Sequence, residues 1–243
     1  MSQQQDPERT LRVGMGPDKP PYVILESGRG LDVDLVRETL AGAGYRVEAV
    51  HAPQERLYLM FRNGELDAVA ATHSASGLPA YYSDTYINYS NVAVSLERRQ
   101  LGAEQVEDLT SHSVVAFQRA SKLLGARFER MSERNPRYHE VALPVQRNLM
   151  LYAGRVDYVI TEERIFRTQN ASIAGQVDIT QPIRVHRLFA PTTYSMAFAD
   201  AEVRDRFNRA LRQLRSSGQY AEIMHRYGDP LETATASLPA AQD

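Results

Sequence analysis

The chain has no cysteine and no tryptophan among its 243 residues. Without cysteine there is no disulfide, no thiolate metal site and no cysteine nucleophile, and the redox character of its compartment stays open. No apolar run approaches the roughly eighteen residues of a membrane span, and the start, Met1 to Thr10, is polar with no hydrophobic signal core. Charge of one sign is also missing: 28 Lys and Arg against 30 Asp and Glu leave a formal net charge of −2, which excludes the basic field that nucleic acid requires. What remains is 43% apolar and 24% charged. That suits one large domain or two modest lobes and excludes wholesale disorder.

One phrase is written twice. Leu59-Met60-Phe61, Gly64 and Asp67, ahead of an apolar run to Thr72, recur as Leu149-Met150-Leu151, Gly154 and Asp157 ahead of a run to Thr161. Each copy reads as an amphipathic helix stopped by a glycine able to take a left-handed conformation, followed by a short buried strand. Two copies predict two similar α/β lobes, and in open α/β sheets ligands gather beyond the carboxyl ends of strands. Thr72-His73-Ser74 and Thr161-Glu162 are therefore the first places to look for function.

The rest of the pattern fits. Leu11–Met15 reads as a strand, Asp32 as the N-cap of a helix through Val33, Val36 and Leu40, and Tyr45–Val50 as a second strand. The order repeats with strand Ser113–Phe117, a helix from Ser121 to about Arg134, strand Tyr138–Leu143, helix Val145–Ala153 and strand Val156–Thr161. Strands around 92–96, 185–188 and 194–198 and helices over 203–215 and 219–227 complete the reading. The tail after Gly228 is small, polar and aperiodic, and disorder is expected there and over residues 1–10.

Pro20-Pro21-Tyr22, Gly30-Leu31-Asp32-Val33-Asp34-Leu35, Gly64-Glu65-Leu66-Asp67, Tyr82-Ser83-Asp84-Thr85-Tyr86, Gly154-Arg155-Val156-Asp157 and the closing Ser217-Gly218-Gln219-Tyr220 and Tyr227-Gly228 together mark a resemblance. Over residues 11–228 the chain resembles the family 3 extracellular solute-binding proteins, the polar amino-acid receptors of bacterial ABC importers. The resemblance implies a two-lobed α/β clamp, each lobe an open, mostly parallel sheet flanked by helices, with two crossover strands as a hinge. Lobe 1 would comprise 11–93 and 190–228, and lobe 2 would comprise 94–189. It further implies a periplasmic, monomeric, non-enzymatic protein that closes on a small polar ligand in the cleft between lobes and delivers it to a membrane permease, with no cofactor, metal or catalytic residue.

Carried over position by position, the resemblance implies ligand contacts at Lys19, Tyr22, Gln54, Thr72 and Ser74 in lobe 1, and at Gln118, Ser121, Lys122, Thr161 and Glu162 in lobe 2. One departure is chemical. Where the family places an arginine for the ligand carboxylate, this chain has Pro79, which offers no guanidinium fork. The acid for the ligand ammonium corresponds to Glu162, so the expectation shifts towards a cationic or amine-bearing solute. Ala120-Ser121-Lys122, at a helix start, suits an anionic group. Asp32, Asp67 and Asp157 read as caps and turn formers, and Tyr22 and Tyr86 as cleft or core aromatics. His73 has no partner at motif spacing for a catalytic or metal role. Two other functions share the scaffold: a sensor module signalling occupancy to a partner, and a dehydratase. Against the latter, Ile165 stands where the dehydratase relatives' catalytic glutamate is expected.

Overall fold

The computed structural model describes residues 9–228. The expected disorder of 229–243 and of 1–8 lies outside them, whereas Arg9 and Thr10 are already strand. Along the chain come β1 (Arg9–Met15), α1 (Leu31–Gly42), β2 (Tyr45–His51), α2 (Gln54–Arg62), β3 (Ala68–Thr72), β4 (Tyr81–Tyr82) and β5 (Ile87–Tyr89). Then follow β6 (Asn91–Leu96), β7 (Val114–Ala116), α3 (Ala120–Leu123), α4 (Ala126–Arg134), β8 (Tyr138–Glu140), α5 (Pro144–Tyr152), β9 (Tyr158–Glu162), α6 (Glu163–Asn170) and β10 (Ile183–His186). β11 (Thr192–Phe198), α7 (Ala201–Ser216) and α8 (Gln219–Arg226) close the described chain.

These elements form two compact units, one running to Tyr89 and resuming at Thr192, the other Ser90–Pro191. In the first unit the sheet order is β2-β1-β3-β11-β4, with β5 also on β11. β1 is parallel to β2 and β3, and β11 runs antiparallel to its partners. The second sheet has the order β10-β6-β9-β7-β8, with β7 parallel to β8 and β9 and the other pairs antiparallel. Three parallel strands thus anchor each unit, and strands entering from elsewhere in the chain extend them antiparallel.

The repeated phrase is repeated down to its hydrogen bonds. Glu65 N–H donates to the Met60 carbonyl and Arg155 N–H to the Met150 carbonyl, both at 2.9 Å. Gly64 and Gly154 take φ of 74° and 70°, the left-handed stop that glycine adopts without a Cβ penalty. Each aspartate then grips the neighbouring parallel strand at the residue just before the two strands begin to pair. Asp67 accepts from Arg12 N–H at 2.8 Å, and Asp157 from Ser113 N–H at 2.9 Å and its hydroxyl at 2.8 Å.

The sheets bury apolar side chains on both faces. Leu57, Phe61 and Leu66 pack on Val69 and Ala197 on one side of the first sheet, while Phe207 of α7 meets Phe198 and Tyr86 at ring-centroid distances of 5.3 and 6.3 Å. In the second unit Leu151, Tyr152 and Phe166 cover one face and Phe128, Met131 and Ala116 the other. Two sequence expectations need correction. The helix expected over 121–134 is two helices, because Gly125 at φ 89° turns the chain between them. Asp32 is not an N-cap: Gly30 holds that position, where a Cβ would lie 2.2 Å from the Tyr22 carbonyl oxygen.

That close approach fixes the loop above the first sheet. Asp34 completes the fastening, accepting from Arg29 through two nitrogens at 2.7 and 2.8 Å and from the Tyr227 hydroxyl at 2.7 Å. The Tyr227 oxygen in turn accepts from Gly30 N–H at 3.2 Å. The sequence fragments Gly30–Leu35 and Tyr227-Gly228 are therefore two halves of one structural joint.

Candidate functional site

In the first unit a cavity of about 280 Å³ opens beside the ends of β1 and β3. Its walls include Lys19, Gln54, Tyr58, His73, Tyr89 and Tyr194, and Asp32 also lines it. Tyr22 stands behind Tyr89, ring centroids 4.0 Å apart, and Tyr194 meets Tyr89 at 4.8 Å. Lys19 Nζ lies 4.2 Å from the Tyr89 ring centroid. Cations are attracted to the negative face of such rings. Burial raises the hydroxyl pKa of Tyr89 well above its ordinary value and also raises that of Tyr194, so both rings stay neutral.

A hydrogen-bonded chain sets the acid in this wall. The Ala71 N–H donates to the Tyr86 hydroxyl oxygen at 3.0 Å, and the Tyr86 O–H donates to Asp32 Oδ1 in a short bond. Ala71 has φ 48°, a left-handed conformation that costs a non-glycine residue about 1–2 kcal/mol. The cause is visible in the register: Thr72 pairs Ser195 but Val69 pairs Ala197, so β3 carries one extra residue and bends at the cavity rim. Asp32 is 2% exposed. Burial pushes its carboxyl up to about 6, against the opposing effects of the Tyr86 hydrogen bond and the Lys19 charge.

The residues expected in the first lobe fall in different places. Lys19 and Gln54 line the cavity, and Tyr22 is fully buried behind Tyr89. Thr72 is buried, its hydroxyl 2.9 Å from that of Tyr58. Ser74 lies exposed in a 3-10 turn. Asp32, Tyr58, Tyr89 and Tyr194 were not among the expected contacts.

In the second unit the anion cradle expected at Ser121 and Lys122 is filled from within. Glu140 accepts from the Ser121 N–H at 3.0 Å, the Ser121 hydroxyl at 2.9 Å and the Arg119 N–H at 2.6 Å. Lys122 pairs with Glu129, and Gln118 is exposed. Burial disfavours ionised Glu140, but the donors from Ser121, Tyr138 and Arg119 together outweigh it and hold the carboxyl below its usual range. Backbone donors therefore satisfy the carboxylate that reaches them first, and β8 delivers one from next door.

Glu162, the expected partner for an ammonium, is 5% exposed and caps α6, accepting from Arg164 N–H at 2.9 Å and Ile165 N–H at 3.0 Å. Its other oxygen lies 3.4 Å from Ser90 N. Thr161 is buried beside it. Glu163, also buried, meets Arg187. Among the described residues no cluster of histidine and acidic side chains could hold a metal ion, and no helix is long and apolar enough to cross a membrane.

The sequence model of the bacterial extracellular solute-binding proteins, family 3, matches residues 11–230. The chain belongs to this family. A curated relative, the "Probable histidine-binding protein" of Neisseria gonorrhoeae, is 23% identical over 91% of this chain and 84% of its own length. Among solved structures, the arginine-, lysine-, histidine-binding protein ArtJ from Geobacillus stearothermophilus aligns with TM-score 0.63 and 19% identity, covering 92% of this chain and 97% of that one. A histidine kinase sensor domain with similarity to periplasmic binding proteins aligns with TM-score 0.67 and 22% identity over 93% and 98%. The fold of this family member is thus that of the two-lobed periplasmic binding proteins, with two helix-flanked α/β sheets.

Proposed function

We propose that this family member is a periplasmic receptor for a cationic or amine-bearing solute, an amino acid or related amine, which it delivers to the permease of an ABC importer without chemical change. The observation that carries the reading is buried Asp32, which lines a tyrosine-walled cavity while Pro79 stands where an arginine for the ligand carboxylate is expected. A carboxylate beneath aromatic rings is chemistry for an ammonium or guanidinium. In this proposal Asp32, Gln54, Tyr89 and Tyr194 form the first unit's contacts, with Tyr22 supporting Tyr89 and Lys19 on the same wall. The names of the histidine-binding relative and of the arginine-, lysine-, histidine-binding structure support the same class.

Thermal melts with basic, neutral and acidic amino acids, polyamines and small carboxylates test it, because a ligand at a hundred times its Kd stabilises the native state by about 2.7 kcal/mol. Basic amino acids or amines should raise Tm. Stabilisation by anionic solutes alone would overturn the reading. A sensing role is the second reading, favoured by the likeness to the histidine kinase sensor domain; a gene neighbourhood holding a kinase and no permease would move the conclusion to it.

A further inference from the structure

Lys19 occupies an unusual place for a contact residue. Its ammonium lies 4.2 Å from the Tyr89 ring centroid and 5.6 Å from that of Tyr22, on the aromatic wall that would attract a solute's cation, and its charge acts on Asp32. The residue as a whole is exposed, so the ammonium has water as an alternative partner at the cost of one rotation of a flexible stem. Its backbone is held separately: Lys19 N–H donates to the Val23 carbonyl at 2.8 Å, while the Lys19 carbonyl accepts from Tyr22 and Val23 N–H at 2.8 and 3.1 Å. The loop therefore stays fixed whatever the side chain does.

We propose that Lys19 is an internal occupant of the cation position and so a specificity determinant: an incoming cationic solute must displace its ammonium from Tyr89. The proposal rests on reading the cavity as a site for cationic or amine-bearing solutes. A resident ammonium sets a threshold that every cation must exceed, so solutes with further contacts in the cavity exchange with it and those held by the ring alone do not. Neutral solutes and small inorganic cations gain too little to compete. The sign of this effect is opposite to that of an ordinary contact, whose removal weakens binding.

The test is isothermal titration of the full chain and of Lys19→Met with L-arginine, L-lysine and L-histidine, and with L-glutamate as the anionic probe. Methionine keeps the stem length over the ring and removes the charge. Lys19→Met should bind basic amino acids about two- to fivefold more tightly, the worth of an exposed cation–π contact, and binding gained only by the variant would support the proposal equally. Unchanged or weaker binding of basic amino acids by Lys19→Met, with the wild type intact, would overturn the internal occupant and leave the amine reading standing. L-Glutamate bound by the wild type and lost in the variant would make Lys19 an anion contact and overturn the proposal. Absence of binding by both chains would overturn the proposal and the amine reading together. Thermal melts of the two unliganded chains should agree at pH 4, where Asp32 is protonated, with the variant somewhat lower at pH 7.5, because the Lys19 charge opposes the burial penalty on ionised Asp32.

Discussion

Gly64 and Gly154 end their helices with the same backbone bonds, and Asp67 and Asp157 grip the same edge of a neighbouring parallel strand. Beyond that frame the two units treat their carboxylates differently. In the second, Glu140 holds the donors around Ser121 and Glu162 caps α6. In the first, Asp32 sits in the opening turn of α1 but lines the cavity, with a tyrosine hydroxyl rather than a ring of amides as its partner. The physical lesson is one of competition. A carboxylate surrounded by backbone donors is stabilised as an anion and works for the fold; Asp32, whose burial outweighs its phenol donor, is destabilised as an anion and gains from an added cation.

Asp32→Asn is the strongest way to break this contrast. The substitution keeps the shape and an acceptor for Tyr86 but removes the charge, and affinity for basic amino acids should fall by at least about thirtyfold, the usual cost of truncating a desolvated charge pair. Stability of the unliganded chain should move the other way. A carboxyl raised from 3.8 to about 6 in the folded state favours folding fully below the unfolded value and loses that contribution as pH rises through about 6. At neutral pH the penalty is on the order of 2–3 kcal/mol, so Asp32→Asn should melt higher than the wild type at pH 7.5 and gain little at pH 4. Basic-ligand binding by the wild type should fade as pH drops below about 6; Lys19, Tyr86, Tyr89 and Tyr194 interact with this acid, and Tyr58 and His73 line the same cavity. Calorimetry at pH 5 and 7.5 checks both halves, and equal affinity in the variant would remove Asp32 from the site.

The two clamping aspartates sharpen the comparison from the side of the frame. Asp157 is 13% exposed and also meets Arg99 at 2.9 Å, whereas Asp67 is 36% exposed with Arg9 at 3.5 Å. Hydrogen bonds to charged groups contribute about 1.5–3 kcal/mol when buried and less when wet. Denaturant titration should therefore show Asp157→Ala costing about 2–3 kcal/mol and Asp67→Ala about 1 kcal/mol. Equal costs would mean that the repeat is equivalent in energy as well as in geometry.

The frame was legible because its instructions are local. A glycine that ends a helix and an aspartate three residues later need only their neighbours to be understood, and the family resemblance rests on those same positions. Asp32 read as a cap because an acid before an apolar helical stripe is what a cap looks like; its role depends on Tyr86, 54 positions away, which no spacing rule connects to it. The cavity's tyrosines arrive from α2, β5 and β11, so their convergence is a property of the sheet. The bulge at Ala71 also depends on pairing with β11. In the second unit Ser121 was correctly seen as a hydroxyl at a helix start, but β8 lay beyond local reach, and with it Glu140.

Glu140 supplies the smallest test and the one aimed most directly at the contrast. Glu140→Gln leaves one acceptor where two oxygens now serve Arg119 and Ser121, so about 0.5–1 kcal/mol should be lost at pH 7, discounted for partial exposure. The wild-type carboxyl is held below its usual range; its contribution is therefore present above the unfolded value of about 4.3 and disappears as pH falls through the lower folded value. The two proteins should converge in Tm as pH falls below the carboxyl's lowered folded value and separate as it rises above the unfolded one. Inorganic phosphate should leave the wild-type melting temperature unchanged and raise that of Glu140→Gln, because the donors around Ser121 are then no longer matched by a fixed anion. Phosphate stabilising both proteins equally would mean that Glu140 does not withhold those donors, and the difference drawn between the two units would lose its second half.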